Sequence, residues 1–337
     1  MAKTIQVASD RAYDSTKTVL PVEVARGIYI ENPPSAQALK LMHLLIAKAG
    51  GRMADEVQHE MRMADLKHIE GMRNHDRASL RALFTQLRAA VMVYDDTEAQ
   101  EEIIGGFMDE IRLDYRQEAA DALVVKWWFG RTFRRIAAES NHWAILDRQT
   151  VFALFSKYSI LLFQHIASLA NLDWIDSKSF TVMELRAVLG IEDGKLSRFS
   201  NLNQRVLQPA IAEINQLSRL NLKATPRKTG RAVTDVEISW KLKPDPTEAK
   251  QELAQPKIGR KARRDGTVEA PSVAFPETGS ITYSPRWLDL KRQAGCNMDN
   301  ALIATNFRRF CGGRRIPLDA SNIEIVFSRF CRSVGQI

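Results

Sequence analysis

The residue types best suited to chemistry in this chain lie in one helical pattern, residues 199–217. At 100° per residue, the apolar side chains fall on one side of this helix and the amides and arginines on the other. The apolar set is Leu202, Val206, Leu207, Ala210, Ile211, Ile214 and Leu217, and the polar set is Gln204, Arg205, Gln208, Asn215, Gln216 and Arg219. Gln and Arg side chains form paired hydrogen bonds with the edges of adenine and guanine. We therefore predict a base-reading surface, with an ordinary solvated face as the alternative; its members are Arg198, Gln204, Arg205 and Gln208.

Pro209 lies inside this pattern, and we predict a kink or a division there because proline lacks the N–H that a helix interior requires. The surrounding elements follow the order helix, helix, helix, strand, basic turn and strand, which is typical of a winged helix. Their residue ranges are 151–170, 180–190, 199–217, 220–225, 226–231 and 233–240. The cations predicted to hold a DNA backbone from this hairpin, or wing, are Lys223, Arg227, Lys228 and Arg231.

Four motifs in this region carry a resemblance to a known family. They are Ser156-Lys-Tyr-Ser159, Glu184-Leu-Arg-Ala-Val-Leu-Gly-Ile191, Arg205-Val-Leu-Gln-Pro-Ala-Ile-Ala-Glu-Ile-Asn215, and Gly230-Arg231 before a strand. Together they resemble the initiator replication proteins of iteron-bearing, theta-replicating bacterial plasmids. The resemblance covers about residues 150–240, and a looser likeness extends back to residue 18.

The resemblance implies an α+β, helix-rich fold with two tandem winged-helix domains, here followed by a small helical module. It also implies binding to direct DNA repeats at a plasmid origin, help in opening the duplex, contact with a host initiator and replicative helicase, and repression of the protein's own gene. The family's first domain mediates dimerisation, so we expect a homodimer in equilibrium with monomer and place its surface at residues 123–129. The predicted divisions are 1–17 (flexible N-terminus), 18–140 (first winged helix), 141–242 (second winged helix), 243–277 (basic linker) and 278–337 (helical module).

The first half carries the pattern that a second, related domain requires. Ser35 is a suitable N-cap for a helix that stops at Gly50, and apolar spacing predicts further helices over residues 63–69 and 77–91. Strands are predicted at residues 92–94, 111–115 and 123–129. Three arginines lie off the apolar stripe of the third helix and either contact phosphate or only solubilise the helix: Arg77, Arg81 and Arg88.

The charge distribution indicates a polyanionic partner. The chain carries a net charge of +8, and residues 219–264 hold 13 Lys or Arg against 5 Asp or Glu. Such clustering attracts nucleic acid and predicts a steep salt dependence. We expect no membrane partner, since neither an apolar span nor a basic amphipathic anchor is present. Three cysteines without metal spacing and no signal-peptide core indicate free thiols and a cytoplasmic location in bacteria.

The last hundred residues begin with a proline-containing basic stretch, 243–277, which we predict to be a flexible tether. Beyond it, Phe307-Arg-Arg-Phe-Cys311 and Phe327-Ser-Arg-Phe-Cys331 repeat one pattern twenty residues apart. Two amphipathic helices sharing one small core explain this repeat. We hypothesise that this module contacts a host replication protein.

The sequence offers no arrangement that predicts catalysis, a metal or a cofactor. Its six histidines include no His-x-His pair, which nicking initiators use to hold a metal ion beside their tyrosine. No Ser/His/Asp or Cys/His arrangement is evident, so we expect double-stranded DNA binding without an enzymatic step. Three alternatives remain open: a winged-helix transcription regulator without initiator activity, a nicking enzyme, and a structural adaptor.

Overall fold

Local capping signals fix where the helices of the first half begin. The Ser35 hydroxyl accepts a hydrogen bond from the Ala38 N–H at 3.4 Å, as predicted for an N-cap. Asp76 accepts one from the Ser79 N–H at 2.8 Å, and the Ser79 hydroxyl accepts one in return from the Asp76 N–H. The helix predicted after Ser35 is therefore confirmed at residues 36–49. The helix predicted over residues 77–91 is confirmed at residues 77–89, and a strand begins at Val91.

In this computed structural model the chain forms two units, residues 1–257 and 258–337. The structure describes residues 3–12, 14–27, 29–31, 33–67, 76–96, 99–116, 123–170, 172, 174–192, 194–266, 274–282, 284–314, 316–320 and 322–334. His68 and Ile69, which end a predicted helix, and residues 267–273 of the predicted linker lie outside this description.

The first half of unit 1 alternates short strands with helices. Its elements are α1 (Thr4–Asp10), β1 (Lys17–Pro21), β2 (Tyr29–Glu31), α2 (Ala36–Ala49), β3 (His59–Arg62), α3 (Met63–Lys67), α4 (Arg77–Ala89), β4 (Val91–Asp96), β5 (Glu101–Gly106), β6 (Met108–Asp114), β7 (Val124–Phe129) and α5 (Arg131–Glu139). The second half has β8 (Trp143–Asp147), α6 (Arg148–Ala153), α7 (Lys157–Ala170), β9 (Ser177–Thr181), α8 (Val182–Val188), α9 (Phe199–Leu202), α10 (Gln208–Leu217), β10 (Leu220–Thr229), β11 (Ala232–Leu242) and α11 (Thr247–Ala254).

The described strands of unit 1 form four antiparallel β-sheets. Their orders are β1-β8, β2-β4-β5, β3-β7-β6 and β10-β11-β9. The β1-β8 pair aligns Val19 with Ile145 and so joins residues on both sides of the predicted domain boundary at residue 141. One continuous apolar core runs through both halves of the unit. The boundary between the two winged helices thus remains a prediction from sequence.

The prediction of one helix over residues 151–170 is wrong, because the segment forms α6 and α7 with a break between them. Leu154 is extended, with φ −60° and ψ 133°. The backbone N–H groups of Phe155 and Ser156 leave the helix and donate to the Glu213 carboxylate, at 2.7 and 3.4 Å. The break is therefore stabilised by a side chain from α10 rather than by the local sequence.

Four other predictions also need correction. The predicted flexible N-terminus is wrong over residues 4–10, which form α1 with Thr4 and Ala8 buried. The helix predicted at residues 180–190 begins only at Val182, because Phe180 and Thr181 belong to β9. Residues 226–229 belong to β10 rather than to a turn, since Pro226 to Thr229 pair with β11, so the wing turns only at Gly230 and Arg231. The predicted flexible tether is wrong at its start, because α11 is a helix with Ala249 buried and Leu253 packed on the core.

The strand predicted at residues 123–129 is present as β7, but its expected role as a dimer surface conflicts with its burial. It is the central strand of its sheet, hydrogen-bonded to β3 and β6. Val125, Trp127 and Phe129 are at most 1% exposed. These side chains already fill the core, so they are not available to a second chain.

Unit 2 is a small helical module whose elements are α12 (Arg260–Arg264), α13 (Pro285–Gln293), α14 (Asn300–Arg314) and α15 (Ile323–Val334). Phe307, Cys311, Phe327 and Cys331 all lie in one buried cluster, as the repeated pattern predicted. Trp287 packs against Phe327 with ring centroids 5.2 Å apart. Cys296, Cys311 and Cys331 are buried and do not form disulfides, which confirms the prediction of free thiols.

Two buried histidines predict acid sensitivity of unit 1. Burial lowers the pKa of His43 on α2 to about 4 and that of His165 on α7 to about 3. The unfolded chain binds protons at these sites near pH 6.5, whereas the folded chain does not. Stability is therefore full above pH 6.5 and is lost as the pH falls towards 4. We expect the free energy of unfolding to drop by about 2 kcal/mol per pH unit near pH 5, measured by urea denaturation. Replacement of His43 by Gln should make the free energy of unfolding less dependent on pH. A free energy of unfolding of the parent protein that is constant from pH 7 to 5 would contradict this prediction.

Candidate nucleic-acid interface

The segment from α9 to α10 has the two faces that the sequence predicts. Its apolar set is buried: Leu202, Val206, Leu207, Ala210, Ile211, Ile214 and Leu217. Gln204, Arg205 and Gln208 are exposed, as is Arg198 at the N-cap of α9. The structure thus brings three predicted base-reading side chains onto one solvent-facing surface of one helical segment.

The predicted division at Pro209 does not occur, because the backbone stays helical from α9 to α10; a widened turn precedes the proline instead. Residues Asn203–Leu207 form a π-helical turn, and α10 begins at Gln208 with proline in its first turn. Proline offers no N–H to the carbonyl four residues earlier, that of Arg205, and its ring crowds that carbonyl. A π-helical turn relieves this conflict, and such turns are frequent at functional sites. Arg205 therefore lies at the widest point of the helix, with its side chain in solvent.

Arg186 on α8 is a positioning residue that sequence reasoning missed. Its guanidinium donates to the carbonyls of Leu196 at 2.9 Å and Lys195 at 2.5 Å, in the loop before α9. Leu196 has a positive φ of 51°, a left-handed conformation that its Cβ atom makes unfavourable, and the contacts with Arg186 support it. Arg186 therefore fixes the loop that sets where the exposed helix begins. Its position inside the motif Glu184–Ile191 was the only available signal.

Asn215 and Gln216 do not extend the exposed polar row. The Asn215 amide donates to the Leu222 carbonyl at 3.0 Å and accepts from the Leu222 N–H at 2.6 Å. It therefore ties α10 to β10, and this satisfies its hydrogen-bonding groups. Gln216 is only partly exposed. The helical pattern predicted an exposed polar side for both residues but could not show that β10 binds the Asn215 side chain.

The wing is a two-stranded hairpin whose cations point outward. Lys223, Arg227, Lys228 and Arg231 are all exposed. Arg227 differs from the others because its guanidinium pairs with Glu237 on β11 at 2.9 Å. Hydrogen bonding to Glu237 raises the pKa of Arg227. The free positive charge of the wing therefore comes from Lys223, Lys228 and Arg231 rather than from all four predicted cations.

The first-half arginines Arg77, Arg81 and Arg88 line one cavity of about 320 Å³ between α4 and β6. The Arg77 guanidinium lies 4.2 Å from the centre of the Tyr115 ring. Ile111 and Leu113 form the apolar wall of this cavity. The three predicted cations are thus grouped on one surface.

Glu213 is a second positioning residue that the sequence did not reveal. It is 7% exposed, and its carboxylate accepts the N–H groups of Phe155 and Ser156. This contact joins two of the motifs that carry the family resemblance, one at residues 156–159 and one at 205–215. It fixes α10 against the start of α7 and thereby supports the exposed helix.

We expect Glu213→Ala to lower the free energy of unfolding by about 1–3 kcal/mol, because two partly buried N–H groups lose a charged acceptor. Urea denaturation at neutral pH measures this change. Glu213→Gln, which keeps one carbonyl oxygen, should lose less. An alanine variant as stable as the parent would show that Glu213 does not hold this junction.

The described residues contain no group of three His, Cys, Asp or Glu side chains that could hold a metal ion. None of the helices in the described part of the chain is long and apolar enough to cross a membrane. What the exposed groups offer is hydrogen bonding and positive charge.

An exposed amide and arginine helix, a clamped preceding loop and a basic hairpin define a winged-helix DNA-binding protein. Family comparisons agree: residues 28–167 match the model described as "Initiator Replication protein, WH1", and residues 181–240 match "Initiator Rep protein, WH2". The chain belongs to this initiator replication protein family, and the predicted tandem winged helices are confirmed. No curated protein sequence matches this chain.

Among solved structures, the fold is similar to that of the Pi initiator protein, which was crystallised in complex with iteron DNA. The TM-score is 0.50 at 19% identity, over 68% of this chain and 98% of that one. Domains 2 and 3 of RctB give a TM-score of 0.37 at 9% identity, over 61% of this chain and 80% of that one.

Proposed function

We propose that this protein initiates plasmid replication by binding directly repeated sequences in its origin. The observation that supports this most directly is the exposed row of Gln204, Arg205 and Gln208 on a helix held beside a basic hairpin. The family to which the chain belongs consists of replication initiators. The similar Pi initiator protein is bound to iteron DNA in its crystal structure.

The second winged helix reads the bases, and cations elsewhere hold the phosphates. Arg198, Gln204, Arg205 and Gln208 enter the major groove, where each base pair presents a distinct pattern of donors and acceptors. Lys223, Lys228 and Arg231 on the wing contact the sugar-phosphate backbone. Arg77, Arg81 and Arg88 give the first winged helix a second set of backbone contacts.

Initiation follows from binding rather than from covalent chemistry. Proteins that bend DNA use binding energy to deform the duplex. Several copies bound along a repeat array open the adjacent duplex and recruit the host initiator and replicative helicase in the bacterial cytoplasm. A dimeric form represses the protein's own gene, through a surface other than the buried face of β7. Family membership favours this role over that of a regulator without initiator activity.

Probing with permanganate tests the proposal, because this reagent oxidises unpaired thymines. The target is a supercoiled plasmid that carries the DNA flanking this protein's gene. We expect new reactive thymines beside a repeat array when the protein and the host initiator are both present. Protein that occupies the repeats without making any thymine reactive would indicate a regulator instead.

We expect the helical module to be necessary for replication but not for origin binding. Ending the chain after Lys257 removes all of unit 2, including Phe275, which belongs to its core. The truncated protein should bind origin repeats with roughly the parental affinity, because the second winged helix is intact. Its ability to maintain the plasmid in cells should be lost. Normal plasmid maintenance by the truncated chain would contradict this prediction.

A further inference from the structure

The helical module lies outside the residues matched by either family model, and part of its aromatic cluster reaches the surface. Phe307 and Phe327 are fully buried, whereas Phe310 and Phe330 are only partly buried. The rings of Phe310 and Phe330 lie 5.0 Å apart, one on α14 and the other on α15. Their ring centroids lie 6.2 and 5.3 Å from that of Phe307, so both rings pack against the core of the module. We call this pair the aromatic edge.

Arginines surround the aromatic edge on its solvent side. Arg309 and Arg329 each precede one of its phenylalanines by one residue and are exposed. Successive residues are 100° apart on a helix, so each arginine lies further from the core than the ring that follows it. The Arg314 guanidinium lies 4.6 Å from the centre of the Phe310 ring. This arrangement places rigid aromatic rings and cationic groups side by side.

The carboxylates of the module do not neutralise these arginines. Glu324 accepts two hydrogen bonds from Arg286, at 2.9 and 2.8 Å, and Asp289 pairs with Arg292. Asp299 accepts the N–H groups at the start of α14. Among the described residues, none of the four remaining exposed arginines forms an ion pair with a carboxylate: Arg309, Arg314, Arg329 and Arg332.

We propose that the aromatic edge binds single-stranded DNA. Proteins that hold single strands combine cations along the backbone with aromatic rings on which unpaired bases stack. A duplex keeps its bases stacked internally and leaves none for Phe310 and Phe330. An opened replication origin supplies such strands, so the biological role of this site rests on the proposed function. The binding of single-stranded DNA by the aromatic edge does not depend on that function. The exposed positive charge favours this polyanion over a protein partner.

Fluorescence anisotropy of the full chain with labelled oligothymidylate of about 20 nucleotides tests the proposal. Arg309→Gln/Arg329→Gln should weaken oligothymidylate binding at least tenfold and make its salt dependence less steep. Phe310→Leu/Phe330→Leu keeps apolar volume but removes the rings, and it should also weaken binding at least tenfold. Arg292→Gln, which removes an exposed arginine of α13, is the matched control and should bind like the parent. Circular dichroism of each variant establishes that the module is folded.

Binding to duplex repeats separates this proposal from the proposed function. The Arg309/Arg329 variant should retain parental affinity for duplex repeats. Three results would overturn the proposal: no oligothymidylate binding by the parent, parental binding by both folded double variants, or loss of single-strand binding on substitution of Arg205. A folded Arg309/Arg329 variant that binds oligothymidylate normally but fails in plasmid maintenance would assign the surface to a protein partner instead.

Discussion

Replacing Gln204 and Arg205 together by alanine is expected to abolish sequence discrimination. Both side chains are exposed on the π-helical turn, and each can form a bidentate contact with a base. A contact of this kind contributes about 1–3 kcal/mol of discrimination between bases. The free energy of binding to the specific site should therefore weaken by about 2–6 kcal/mol in the double variant. Its affinity for random duplex DNA should fall much less, because that affinity comes from phosphate contacts.

The comparison requires specific and random duplexes in the same buffer, since salt alters both affinities. Gln251→Ala on α11 is a matched control, because it removes an exposed amide from the same unit. It should leave both affinities unchanged. An equal loss of affinity for specific and random DNA in the Gln204/Arg205 variant would show that these residues contact the DNA backbone and do not read bases.

Neutralising the wing is expected to weaken binding to every duplex alike. Of the four predicted wing cations, Lys223, Lys228 and Arg231 carry no ion pair in the described part of the chain, whereas Arg227 is already paired with Glu237. Each lost phosphate contact reduces the slope of log K against log salt concentration by about 0.9. Alanine at all three positions should flatten that slope by about 2–3 and lower the affinity near 0.1 M salt by a factor on the order of 100–1,000.

Titrations at four or more salt concentrations measure this slope. Arg11→Ala/Lys250→Ala removes two exposed cations of the same unit that lie outside the wing hairpin, and it should leave the slope nearly unchanged. A wing variant with the parental slope would mean that the hairpin does not touch the DNA backbone.

The sequence predicted the parts of this interface that depend on local periodicity. The buried set from Leu202 to Leu217 follows from helical spacing, and the irregular turn before Pro209 follows from the missing proline N–H. The shared core of Phe307 and Phe327 likewise follows from a repeated spacing of apolar residues. In each case the information lies in the spacing of residues within single helices.

The features that the sequence did not reveal depend on contacts between distant residues. The break before α7 requires Glu213, more than fifty residues later in the chain. Asn215 is not part of the exposed row, because its side chain donates to the Leu222 carbonyl of β10 and accepts from the Leu222 N–H. The start of the predicted tether is ordered because Leu253 finds an apolar surface on the core. Tertiary contacts override local preference in all three places.

A footprint of the purified protein on DNA surrounding its own gene tests the central claim most directly. We expect protection of several direct repeats spaced in phase with the helical turn, and we expect the Gln204/Arg205 variant to lose that protection. A single protected inverted repeat over the promoter, without a repeat array, would contradict the assignment as an origin-binding initiator. No protection at any position would contradict sequence-specific binding by the helix and wing of residues 198–231.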